Sequence, residues 1–177
     1  RESKITEIIP QDLLTCAAAI KIAIDRIQHH KVESHWTDAG RMPPVEWFNS
    51  SDPQWAGGAV FSDVRRVMIE GNGADAWNAV ARIGGTTGWY YANWLWRLSG
   101  MVDFLWGGIG LRRGRRHPDE LRTGDAVDFW RVKSAECEKR LLLIAEMKLP
   151  GQAALEFQIR QISETRTEIL QIARFLP

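Results

Sequence analysis

The chain has 177 residues, of which 45% are hydrophobic and 25% charged, a composition sufficient for one sizeable core and an appended segment. Lys and Arg number 23 against 22 Asp and Glu, a formal charge of +1, so the whole-chain field gives no reason to expect a nucleic acid or an anionic membrane as partner. Cys16 and Cys137 match no metal spacing and are too few for a secreted disulfide scaffold, which predicts a cytoplasmic protein. No basic-then-apolar leader comes after Arg1, so no secretion signal is expected, and the missing Met predicts a piece of something longer.

In chain order, Pro10 opens a helical pattern in which Leu13, Leu14, Ala17, Ile20, Ile24 and Ile27 recur at spacings of three and four, ending near His29-His30. From Lys31 to Gly58 the pattern dissolves around Pro43-Pro44, Pro53 and Gly57-Gly58, which predicts a linker or surface loop. His29, His30, Glu33 and His35 resemble a metal cluster only superficially. Adjacent helical histidines diverge by about a hundred degrees and no second cluster completes a shell, so no metal is expected.

Ala59 to Glu70 alternates, with Val60, Val64 and Met68 interleaved with Asp63, Arg65 and Arg66, and predicts a strand with one wet face. Gly71-Asn-Gly-Ala-Asp-Ala76 then has the local form of a dinucleotide fingerprint. Its preceding strand alternates, no acidic ribose ligand stands about twenty residues on, and no second βα unit appears, so an ordinary strand-to-helix turn is expected. A helix comes next over Ala74 to Ile83, closed by Gly84-Gly85.

Gly88 to Gly108 holds Trp89, Tyr90, Tyr91, Trp94, Trp96 and Trp106. The uncharged run from Ile83 to Trp96 falls short of the roughly twenty apolar residues a spanning helix needs, and Arg97 and Asp103 interrupt the residues after it, so no membrane span is predicted. On a helix, Asn93, Arg97 and Asp103 share a polar stripe, and Trp94, Leu98, Met101 and Leu105 an apolar one. Two readings remain open: a buried helix with one wet line, or the wall of a cavity.

Gly107 to Arg116 is a glycine-rich loop with Arg112, Arg113, Arg115 and Arg116. Such a loop can hold a phosphate or carboxylate, because guanidinium forks bond bidentately and glycines let backbone N–H groups approach. Asp119, Glu120, Asp125 and Asp128 lie close enough in sequence to neutralise it, so a salt-bridged surface loop, a small-anion site and a macromolecular contact are all consistent.

Four further strands are predicted over Ala126 to Val132, Arg140 to Leu149, Ala153 to Ile159 and Thr167 to Leu176. Pro150-Gly151 and Gln161 to Arg166 supply short connections that permit only antiparallel neighbours. In the third strand Ala153, Leu155, Phe157 and Ile159 face one way, and Glu156, Gln158 and Arg160 the other. Glu146 and Lys148 lie opposite Leu143, Ala145, Met147 and Leu149, solvated if the latter face the core, or cavity-lining if the barrel is wide. The fold class is α+β, a curved antiparallel sheet packed on helices, with an additional N-terminal helix and linker. No G-x-S-x-G elbow or Cys/His signature marks a catalytic centre.

Gly84-Gly85 to Tyr90, Gly107-Gly-x-Gly-Leu-Arg-Arg-Gly-Arg-Arg-x-Pro118, Asp125-Ala-Val-Asp-Phe-Trp130 and Ala145-Glu-Met-Lys-Leu-Pro-Gly151 together resemble the family of domain of unknown function 2867, over about Asp52 to Pro177. That family is often carboxy-terminal to an NAD(P)-binding domain of the short-chain dehydrogenase type. It resembles the helix-grip, START-like proteins, whose curved sheet wraps a long C-terminal helix around an apolar cavity. The resemblance implies two regions: residues 1–50 as the last helix and linker of an upstream NAD(P)-binding domain, and 51–177 as a helix-grip-like domain that stops before its C-terminal helix. Asp12 to Ile27 is then a candidate cover for the sheet, and an uncovered apolar face would favour self-association into a homo-oligomer.

The implied function is to bind a hydrophobic small molecule as the substrate-side module of an NAD(P)-dependent oxidoreductase. Trp89, Tyr90, Trp94, Trp96 and Trp130 would supply apolar walls and Arg112, Arg113 or Arg115 an anion contact. No cofactor is expected in this chain itself. The alternatives are a structural or dimerisation domain without ligand, and a catalytic domain using acid/base residues in the cavity.

Overall fold

A computed structural model of the chain describes residues 13–33, 60–111, 114–148 and 151–177. The chain divides into two compact units, Arg1–Glu33 and Ser34–Pro177.

The first unit contains helix α1, Cys16–Gln28. It starts later than the apolar spacing predicts, because Thr15 takes an extended conformation and its hydroxyl accepts from the Ala18 N–H at 3.3 Å, capping the helix there. Leu13 and Leu14 therefore precede the helix, while Pro10 and Asp12 lie outside the described residues, as does most of the predicted linker. His29 closes the helix, its ring Nδ1 2.9 Å from the Asp25 carbonyl, and His35 of the histidine cluster is likewise outside the described residues.

The second unit is built on one six-stranded antiparallel, curved sheet. Its strands are β1 (Phe61–Glu70), β2 (Ala126–Val127), β3 (Trp130–Glu136), β4 (Arg140–Ala145), β5 (Gln152–Ser163) and β6 (Arg166–Leu176). The order across the sheet is β1-β6-β5-β4-β3-β2, so the chain returns to place its last strand beside its first. Among the described residues this unit also has helices α2 (Gly73–Ala81) and α3 (Asn93–Leu105). The fold is α+β, an antiparallel sheet packed on helices.

The core arises from the period-two pattern. Val132, Leu143, Leu155 and Ala173 stand opposite one another on four adjacent strands, and Leu141 and Phe157 form the next row. Ala76 and Val80 of α2, with Ile83, Val127, Phe129 and Trp130, close over that face. Asn72 caps α2 by accepting from the Asp75 N–H at 2.8 Å, and Asp75 lies in its first turn, where the helix dipole favours an anion. The strand before this turn is an antiparallel edge strand, so among the described residues the turn lacks the βαβ setting of a dinucleotide fingerprint, as the alternation predicted.

Several expectations are corrected. The predicted strand Ala126 to Val132 is a two-strand hairpin, broken at Asp128, whose φ of 55° turns the chain after Val127. β4 ends at Ala145 and β5 begins at Gln152, so the connection is longer than a tight turn at Pro150-Gly151, and Pro150 is outside the described residues. The β5–β6 connection is shorter than Gln161 to Arg166, because both strands continue through a bulge between Gln161 and Ser163. β1 is exposed on both faces except near its end, not on one.

The sheet's second face is also less wet than its sequence predicts. Leu142, Ile144 and Ala154 are buried there, and Glu156 is buried among Arg140, Arg174 and Gln158. Glu146 is not solvated. It takes a bidentate pair from Arg131, whose Nε and Nη2 lie 3.1 and 2.9 Å from its oxygens.

Candidate functional site

The aromatic segment begins as a tight loop. Gly84 and Gly88 bridge each other, and Gly84, at φ 78°, stands where an added Cβ would collide with Val127. Tyr90 and Ala92 both take left-handed conformations, at φ 54° and 53°, which non-glycine residues seldom adopt. This bend turns Trp89 inward and starts α3 at Asn93, whose side-chain oxygen accepts from the Trp89 N–H at 3.1 Å.

Trp89 is fixed by Asp128, which accepts from its indole N–H at 2.9 Å and lies 3.3 Å from the Gly85 N–H. Burial pushes the Asp128 carboxyl up, and the bonds from Trp89 and Gly85 and the charge of Arg115 pull it partly back. Trp89 and Trp96 stack with ring centroids 4.6 Å apart. Behind them lie Phe129 and Trp130, the latter 6.0 Å from Trp89 and 6.1 Å from Trp96. The buried Trp130 indole N–H has no hydrogen-bond partner among the described residues.

In front of the stacked pair is a groove of about 450 Å³. Trp89, Trp96, Tyr90 and Tyr91 form one wall, Ala79, Val80 and Ile83 continue it, and Leu155, Phe157 and Ile169 make the floor, with Arg65 on the edge strand and Gln171 opposite it on the next. The groove exists because the elements covering the core face stop short of β1. Arg65 stays largely exposed, with 69% of its side-chain surface free.

Of the site residues expected from sequence, Trp89, Tyr90 and Trp96 come together on this groove. Trp130 packs behind them and does not line it. Trp94 lies 67% exposed on the outer side of α3 and is also not part of the lining. Arg112 and Arg113 are outside the described residues. Arg115 braces loops: its Nη1, Nε and Nη2 donate to the carbonyls of Ile83 (2.5 Å), His117 (3.0 Å) and Glu120 (3.3 Å). Burial lowers its guanidinium from the ordinary value, and Asp125, Asp119 and Asp128 raise it back in part. Arg116 is buried in a bidentate pair with Asp125, both bonds 3.0 Å, so these two arginines of the loop are bonded within the fold.

The helix stripes follow the expectation only in part: Asn93 and Arg97 are exposed as predicted, but the apolar stripe does not face inward. Trp94, Leu98, Met101 and Leu105 are exposed, and Asp103, expected on the wet line, is completely buried. Its carboxylate accepts from the Gly110 and Lys148 N–H groups, each at 2.8 Å, joining α3 to the glycine loop and to the exit of β4. Residues missed by sequence reasoning are Arg65, Gln171, Ile169 and Tyr91 on the groove and Asp128 behind it. The alternating face of the third predicted strand held the signal for Leu155 and Phe157, but which strands the helices would leave uncovered is a tertiary property.

A curved antiparallel sheet with an apolar groove on its core face defines the class, an α+β domain. The family model described as "Protein of unknown function (DUF2867)" matches residues 55–177, and the chain belongs to that family. Among solved structures, the crystal structure of an HSP90 activator from Plasmodium falciparum is similar at 7% identity and a TM-score of 0.41, covering 66% of this chain and 74% of that one. No curated protein matches the chain. No helix among the described residues is long and apolar enough to cross a membrane.

Proposed function

We propose that the domain binds a hydrophobic small molecule in the groove before Trp89 and Trp96. The observation that carries this is the wall and floor themselves. A stacked indole pair faces Leu155, Phe157 and Ile169 across about 450 Å³, within the usual range for small-molecule sites and apolar apart from its edge. Asp128 supports the reading by holding the Trp89 indole from behind, so the wall is set before a ligand arrives.

Titrating the 177-residue chain with a panel of fatty acids, fatty alcohols and polyphenols should give saturable quenching of tryptophan fluorescence for part of the panel. Trp96→Leu, which removes one half of the stack, should weaken binding at least severalfold. A panel without any saturable quenching overturns the proposal. In the same reading, and on the family resemblance alone, the groove serves an NAD(P)-dependent oxidoreductase domain preceding it. NADPH oxidation by a protein carrying that domain, lost when the groove is filled by Leu155→Trp, is the expected result, and unchanged turnover removes this part.

A further inference from the structure

We infer that the ligand is an amphipathic carboxylic acid, an apolar body ending in one carboxylate, and that Arg65 on the edge strand is its anion contact. This rests on the groove reading and adds a polarity to it. Leu141, Phe157, Gln171 and Arg65 stand opposite one another on β4, β5, β6 and β1, so they share the face on which the groove lies. Along this line the environment passes from a fully buried leucine, through the groove floor, to a guanidinium in solvent. A ligand lying along it meets apolar surface over its length and polar groups only at one end.

Among the described residues, Arg65 is the one formally charged group lining the groove. Two polar groups of the wall are already engaged, the Trp89 indole N–H on Asp128 and the Tyr90 hydroxyl on the Ala79 carbonyl at 3.0 Å, and those of Tyr91 and Trp96 are uncharged. Asp63, two residues along the same face of β1, takes the Arg65 Nε at 2.8 Å. That contact holds one edge of the guanidinium and leaves the Nη pair to meet a second carboxylate from the groove, with the Gln171 amide beside it. Asp63 also opposes the incoming charge, so the preference for an acid is limited by Asp63 and set by Arg65.

The test compares naphthalene-2-carboxylate with its neutral counterpart naphthalene-2-methanol, by isothermal titration calorimetry on the full chain at about pH 7.5. The acid is expected to bind roughly tenfold more tightly, the usual scale of one charge-assisted contact. Arg65→Gln should reduce acid binding to the level of the alcohol and leave the alcohol unchanged. Asp63→Asn should tighten the acid about threefold and not the alcohol, the scale of an exposed charge pair. Both side chains are more than half exposed, and an unchanged urea midpoint confirms that each variant folds. Equal binding of acid and alcohol, or an acid preference that survives Arg65→Gln, overturns the inference while the groove stands. If neither compound binds, the groove reading falls with it.

Discussion

Helix α3 presents two sides that obey opposite rules. Its outer side carries Trp94, Leu98, Met101 and Leu105, between 44% and 71% exposed. Its inner side contains Trp96, Gly100 and Asp103, and only the last two are fully buried. The inner side is held by close approach. Gly100 stands against Leu111, where an added Cβ would come within 2.6 Å of the leucine, and Asp103 then accepts backbone N–H groups of the loop brought near. A carboxylate that orders two stretches of backbone can anchor a helix as firmly as a row of leucines, provided every bond is made.

The largest expected effect comes from removing that anchor. Asp103→Ala leaves the buried Gly110 N–H and the part-buried Lys148 N–H without this acceptor, a cost of about 2 kcal/mol. Urea denaturation at neutral pH reads it directly, and a loss below about 1 kcal/mol would break the contrast between the two sides. Asp103→Asn keeps one oxygen acceptor and should lose about half as much. Next is Glu156, another carboxylate buried on a face expected to be wet. Burial alone would raise it, but bonds from Arg174, Gln158 and Arg140 outweigh burial and hold it below the ordinary glutamate value.

That depression fixes the sign of the pH effect. A depressed carboxylate contributes stability that is fully present above the unfolded value, about 4.3, and is lost as pH falls through the lower folded value. Glu156→Gln should therefore cost up to about 2 kcal/mol at neutral pH, the worth of charged hydrogen bonds, and the gap to the parent protein should close as acid is added below about pH 4. A gap that stays constant from about pH 7 to about pH 3 would show that shape and not charge holds this site.

How much of this was legible depends on which interactions are local. The strand periods, the helix after Gly73 and the core face of β5 are written in neighbouring residues, and the α+β antiparallel sheet is a consequence of them. The aromatic helix was recognisable as a helix with two stripes, but hydropathy alone assigns the apolar stripe to the interior. It fails here because the inward partner is loop backbone, which a carboxylate satisfies and a leucine does not. Trp89 and Trp96 could be singled out as aromatic. That they stack and face Leu155 and Phe157 depends on Asp128, 39 residues from Trp89.

Two smaller changes sharpen the comparison. Trp130→Phe removes the buried indole N–H that has no partner among the described residues, while keeping an aromatic ring beside Trp89, Trp96 and Phe129. Loss of packing and relief of the orphaned donor oppose each other, so stability should change by no more than about 1 kcal/mol. Trp94→Ser or Leu105→Gln, on the outer side of α3, should change it by less than about 0.5 kcal/mol, as for exposed surface positions. Thermal or urea unfolding over roughly a hundredfold range of protein concentration makes this decisive. A loss above about 1 kcal/mol that grows with concentration would mean that this side is covered in solution, and α3 would then obey one rule on both sides.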